Sequence, residues 1–161
     1  MYLRSMRVFL MLGLLLMAAM HPGSGKAQGL QPFEFDTLTI VTQDNEQHDF
    51  TVELAQSPEQ RALGLMYRQD LAEDHGMLFI YSRPNEASMW MKNTYISLDM
   101  LFIDARGRIV RIAERTEPHS LRAISSGRPV RAVLELKGGT AERLGLTTDA
   151  QVKHSAFDSG S

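Results

Sequence analysis

No cysteine occurs anywhere in the 161 residues. That excludes disulfides, thiolate metal sites, a cysteine nucleophile and the amino-terminal lipid attachment of exported lipoproteins. Nor is there a Walker phosphate loop, a Gly-x-Ser-x-Gly elbow or a His-Glu-x-x-His pair, which removes the most recognisable hydrolase and nucleotide-binding classes. No internal repeat and no low-complexity tract interrupts the chain. Acidic residues are absent before Glu34, and tryptophan occurs once, at Trp90.

What stands at the amino terminus is a three-part pattern. Arg4 and Arg7 supply positive charge, Val8 to Met20 is an unbroken apolar run, and His21-Pro22-Gly23-Ser24-Gly25 breaks any helix. Gly25 and Ala27 place small residues where a signal peptidase needs them, so residues 1–27 read as a cleavable signal peptide cut after Ala27. A membrane anchor needs about 20 apolar residues, and this run is shorter. The sequence therefore predicts an exported protein, periplasmic or secreted, with no stable membrane anchor after cleavage. Loss of Arg4, Arg7 and Lys26 takes the 17 basic residues to 14 against 19 acidic ones, a net charge of −5. Nucleic acid is not an expected partner, because phosphate neutralisation needs a basic surface. The basic stretch from Arg106 to Arg131 is diluted by Glu114 and Glu117 and reads as a solvated strand face.

After a leader at 28–35, alternation governs the chain. Leu38, Ile40 and Thr42 alternate with β-branched neighbours, a polar turn follows at 43–46, and Phe50, Val52 and Leu54 alternate again: a β-hairpin. Ser57-Pro58-Glu59-Gln60 carries a helix start with a capping box, and Gly64 its end. Gly76 opens a strand through Tyr81, Arg83-Pro84-Asn85 punctuates it, and a separate strand is expected over Ala87–Lys92. Leu98 to Asp104 is apolar enough for burial on both faces. Asp104-Ala105-Arg106-Gly107 turns the chain into a strand from Ile109 to Glu114, and Thr116 to Gly127 reads as a long loop. Pro129 to Leu136 is a further strand, Thr140 to Gly145 a short helix, and Gln151 to His154 a last strand. The expected fold class is α+β: a small, mainly antiparallel twisted sheet or barrel-like β core with two short helices. It forms a single domain over 36–155, with a frayed tail at 156–161.

Candidate chemistry concentrates in Ser88-Met89-Trp90-Met91-Lys92-Asn93-Thr94. In a strand, Trp90 and Lys92 face one way and Met89 and Met91 the other. That is either a core strand ending in a turn, or a wall with an aromatic plate beside a cation and an amide. Asp99 precedes buried residues and needs a partner, for which Lys92, Asn93 or Thr94 are the expected ones. His48, His75, His119 and His154 lack metal-ligand spacing, so no metal is assigned to them and no cofactor is expected.

Arg61–Arg68, Gly76–Phe79, Trp90–Thr94, Leu98–Asp104 and Val133–Leu136 with Gly138-Gly139 occur in an order and spacing that resembles domain of unknown function family 192, over roughly residues 38–153. The resemblance implies a small α+β protein, commonly exported in bacteria, with no established activity. It adds weight to Trp90, Lys92, Asn93, Thr94 and Asp99 as a shared feature. Asp149-Ala150 departs from the Gly-Asp pair that the family tends to place before its last strand.

Three functions remain, in order of preference. The first is an envelope binding module holding a small polar ligand or a partner's peptide near Trp90–Asp99, with ligand-binding candidates Trp90, Lys92, Asn93, Thr94, Asp99, His119 and Glu135. The second is an enzyme using Lys92 and Asp99 as acid–base groups, with His119 or Glu135 assisting. The third is copper handling by Met66, Met77, Met89, Met91 and Met100.

Overall fold

A computed structural model describes residues 32–157. The signal-peptide reading of 1–27, the first half of the leader (28–31) and the tail from 158 lie outside the described residues.

Seven strands and two short helices follow in the order β1 (Glu34–Val41), β2 (Gln47–Ala55), α1 (Pro58–Leu63), β3 (His75–Met89), β4 (Leu98–Ile103), β5 (Ile109–Thr116), β6 (Ile124–Lys137), α2 (Thr140–Arg143) and β7 (Gln151–Lys153). The strands form one sheet in the order β5-β4-β6-β3-β2-β1-β7. The expected hairpin is present, with Leu38 opposite Phe50. The sheet is mixed, not wholly antiparallel, because β2 and β3 run parallel. A parallel neighbour needs a crossover, and α1 with residues 64–74 supplies it.

The sheet curls until its two edges touch. Arg108 bridges to Gln151, and Ile109 N donates to Ala150 O at 2.9 Å while Val152 N donates to Gly107 O at 2.7 Å. The result is a partly closed, barrel-like core. Among the described residues no helix is long and apolar enough to cross a membrane.

Two apolar layers flank the strands. Leu38, Ile40, Val52, Leu78, Leu101 and Leu134 pack with Ala141 and Leu146 on one face. Leu65, Met77, Phe79, Met91, Met100 and Phe102 form the other layer. β4 contributes to both, which is why all six of its residues are buried, as its apolar run predicts.

Two expected boundaries shift. Arg83-Pro84-Asn85 does not end a strand: β3 continues to Met89, and its register against β6 slips between Ile80 and Asn85. Proline is tolerated at such an irregularity because no ladder donor is needed there. The long loop shrinks to residues 117–123, because β5 extends to Thr116 and β6 begins at Ile124. At the carboxyl end, Ser155–Phe157 form a 3-10 turn and Phe157 packs on the first layer.

Candidate functional site

The α1 terminus forms as its sequence dictates. Ser57 Oγ accepts from Gln60 N at 3.1 Å, and Gln60 Oε1 accepts from Ser57 N at 3.0 Å. Gly64 then closes the helix at φ 51°, with the Phe79 ring 3.1 Å from where a Cβ would sit. This fixes Arg61 beside the far half of β3: one guanidinium nitrogen donates to Ile80 O at 3.1 Å and to Gln56 O, and the group lies 5.5 Å from the Tyr81 ring centre.

Opposite it, β3 ends at Met89, so Trp90 to Thr94 is a turn and not the continuation of a strand. Met91 is fully buried and anchors it. Met91 N donates to Ser120 O, Thr94 N to Met91 O and His119 N to Thr94 O, at 3.0–3.1 Å. Tyr67 N donates to Asn93 O at 2.9 Å, and Asn93 Nδ2 donates to the Tyr67 hydroxyl at 2.9 Å. Tyr67, Asn93 and His119 all adopt positive φ, near 54–65°. Three non-glycine residues in this costly region, bonded to the same turn, hold Trp90 outward. Trp90 stays 49% exposed, with Lys92 Nζ 5.1 Å from its ring centre. Lys92 and Trp90 thus do meet, through a turn.

Trp90 separates two hollows. One, about 410 Å³, is walled by Pro58, Arg61, Phe79, Tyr81, Ser88 and Met89. The other, about 260 Å³, is walled by Ser88, Met89, Leu121 and Ala123. Beneath the ring, a cavity of about 30 Å³ is lined by Arg61, Gly64, Leu65, Met66, Phe79, Met89, Thr94 and Glu135 among others.

Glu135 is the unusual group. It sits in the middle of the sheet, in register with Met77 on β3 and Met100 on β4, and is 4% exposed. Burial alone pushes its carboxyl up to about 8, with no hydrogen bond or neighbouring charge entering. Glu53 lies in the same row, opposite Met77, but there Arg68 answers the charge at 2.7 Å. Tyr81 is also raised, by its burial first; Arg61 opposes that and the Glu135 carboxyl adds to it.

Asp99 has another position and other partners than the sequence suggests. It is opposite Leu136 in β6, one residue from the Met100–Glu135 pair, so strand alternation puts it on the opposite face of the sheet from Glu135. Its Oδ1 accepts from Arg115 N at 2.7 Å and Gly139 N at 3.1 Å, and its Oδ2 from Ala141 N at 2.7 Å. Three backbone amides, not Lys92, Asn93 or Thr94, satisfy this fully buried carboxylate. They tie β5 and the start of α2 to β4. Thr94 Oγ1 donates instead to Lys92 O at 3.3 Å.

Of the seven sequence candidates, Trp90, Thr94 and Glu135 therefore share the cavity. Asn93 locks the turn, Lys92 covers the Trp90 ring, and Asp99 is bound elsewhere. His119 lies on the flank, its ring 5.0 Å from Tyr95, and does not line the hollows beside Trp90. Sequence reasoning missed Arg61 and Tyr81, since neither spacing nor composition marks a residue that only the crossover brings into place. Among the described residues, no three His, Cys, Asp or Glu side chains group as metal ligands.

A family profile for DUF192, described as an uncharacterized ACR, matches residues 39–154. No curated protein matches the chain. Similar solved structures include a proposed transcription regulator from Sinorhizobium meliloti 1021, 44% identical, with a TM-score of 0.77 over 80% of this chain and 99% of the other. Another is a protein of unknown function from Novosphingobium aromaticivorans DSM 12444, 34% identical, with a TM-score of 0.73 over 83% and 90% of the two chains.

Proposed function

This chain belongs to the DUF192 family, and on that premise we propose that it is an exported binding module for a small polar ligand, seated in the cleft between α1 and the Trp90 turn. One observation carries the reading: a half-exposed tryptophan held by a braced turn stands over a cavity whose base is an unpaired, buried Glu135. Apolar walls with a few convergent polar groups are what small-molecule sites offer. Phe79, Tyr81 and Trp90 supply the walls, while Arg61, Thr94 and the protonated Glu135 carboxyl supply donors and acceptors.

The acid–base alternative needs Lys92 and Asp99 at one reacting centre. Lys92 lies over Trp90 on the surface, while the Asp99 oxygens are occupied by amides on the far side of the sheet. That arrangement favours binding over proton transfer by this pair. The role proposed for the Sinorhizobium meliloti relative is not carried over, because the acidic balance of residues 28–161 suits nucleic acid poorly.

Because Trp90 is the only tryptophan, its emission reports on the cleft alone. Titration with panels of amino acids, short peptides and sugars should shift that emission and raise the melting temperature for the fitting class. Trp90→Ala and Glu135→Gln should each weaken the thermal shift. Equal thermal responses in wild type and Trp90→Ala would remove the reading.

A further inference from the structure

We propose that the cleft beside Trp90 takes an organic carboxylate with an apolar body and no free amine, its carboxylate set on the Arg61 guanidinium. The inference rests on the cleft reading above and names the chemistry of the ligand. Arg61 is committed on one side only. Its Nη1 donates to Gln56 O and to Ile80 O, which uses both hydrogens and fixes the group beside the Tyr81 ring. Nε and Nη2 have no partner among the described residues, and neither is sealed from solvent. That edge carries two parallel N–H groups, the arrangement that a carboxylate accepts bidentately.

The charge around the cleft has one sign. Several cations elsewhere have acid partners: Arg68 pairs with Glu53, Arg115 with Glu142, and Lys137 and Arg143 with Glu73. Arg61 pairs with no acid among the described residues, and Pro58, Phe79, Tyr81, Met89 and Trp90 beside it are uncharged. Glu59 stands two residues earlier on α1 but does not line the cleft. Its carboxyl is held below the usual range first by hydrogen bonds to its own backbone and to Ser57, and least by Arg61. Burial keeps Glu135, in the cavity beneath, protonated at neutral pH. Lys92 over the Trp90 ring adds a second positive charge. An ammonium group therefore finds no answering anion, which sets an amine-blocked acid above a free amino acid. The walls fix the body. About 410 Å³ is the size of a small-molecule site, and three aromatic rings suit an apolar side chain. Phosphate wants a glycine-rich nest or a helix terminus, whereas this hollow is lined by one guanidinium and no glycine.

The test follows Trp90 emission in titrations with N-acetylphenylalanine, N-acetylleucine, the amides of both, phenethylamine and phenyl phosphate. Each acid should bind about tenfold or more tightly than its amide, and more tightly than the ammonium or the phosphate. That ratio is read in the wild type and needs no variant to fold. Arg61→Gln should bring the acid down to the level of its amide and leave the amide's midpoint in place. Lys153→Gln removes an equal charge from β7 and should change neither. A tetrapeptide ending in phenylalanine separates the sources of the acid: tighter binding than the single residue identifies a peptide's carboxyl terminus, equal binding a free acid, and both support the site. Amides that match their acids, a preference for the ammonium or the phosphate, or an acid–amide ratio that survives Arg61→Gln would overturn the inference while leaving the cleft a binding site. Silence towards every probe would overturn it as well, and the wider panel with Trp90→Ala then judges the cleft reading on its own.

Discussion

Glu135 gives the residue scale its sharpest consequence. Its carboxyl titrates near 4.5 in the unfolded chain and near 8 in the folded one. Between those values the folded protein holds a proton that the unfolded chain has released. The contribution is therefore fully present below about pH 4.5 and is lost as pH rises towards 8, by at most roughly 1.4 kcal/mol per pH unit. Denaturant melts in metal-free buffer should show stability falling over that window, and Glu135→Gln should flatten the profile. If the wild type gains stability from pH 5 to 8 and the variant follows it, the burial argument is wrong. Asn93 is the second case. Asn93→Ala removes the Tyr67 hydrogen bond and forces alanine to φ 54°, for an expected loss of about 1–2 kcal/mol. Asn93→Gly loses the bond but relaxes the backbone, so it should melt between alanine and wild type. The sequence marked both residues without revealing their environment. Glu135 lies in a strand buried on both faces, where alternation no longer tells inside from outside. Asn93 is readable as a turn residue, but its Tyr67 partner is 26 positions away.

Elements were more legible where their signals are local. The Ser57–Gln60 capping box formed as read, and Ser57→Ala should cost about 1 kcal/mol in a thermal melt. The β1–β2 hairpin and the doubly buried β4 also follow from their patterns. Asp99 marks where local reading stops: its three amide donors lie 16, 40 and 42 residues on, and a backbone amide leaves no signature in sequence. Removing that carboxylate orphans all three. Asp99→Ala should therefore destabilise by about 2–4 kcal/mol, while the Trp90 emission response to a ligand keeps its midpoint wherever the protein remains folded. A shifted midpoint would return Asp99 to the site. β3 shows the converse error, since Pro84 looked like a terminator and proved to sit at a slip in register within one long strand.

On the scale of the whole molecule, the α+β class and the barrel-like curl were readable from many short strands with few helices, whereas the parallel β2–β3 pair was not. Strand direction depends on where the crossover lies, and nothing in residues 56–74 writes that down. Export is the molecular property that the amino terminus argues most directly. Expressed from the whole gene in a bacterium, the protein should be recovered outside the cytoplasm with Gln28 at its amino terminus. Intact mass and terminal sequencing would check this, and a soluble cytoplasmic product retaining Met1 would end the export reading.

The place of β6 has a further effect on how such a chain is made. Both of its neighbours, β3 and β4, precede it in sequence, so the earliest 123 residues can assemble only two separate fragments, β1-β2-β3 and the β4–β5 ribbon. Glu135 arrives on the strand that welds them. Synthesis from the amino terminus thus leaves the hollow under Trp90 without its base until almost the last segment emerges, and a chain crossing a membrane in that order would close the pocket only after most of it had passed.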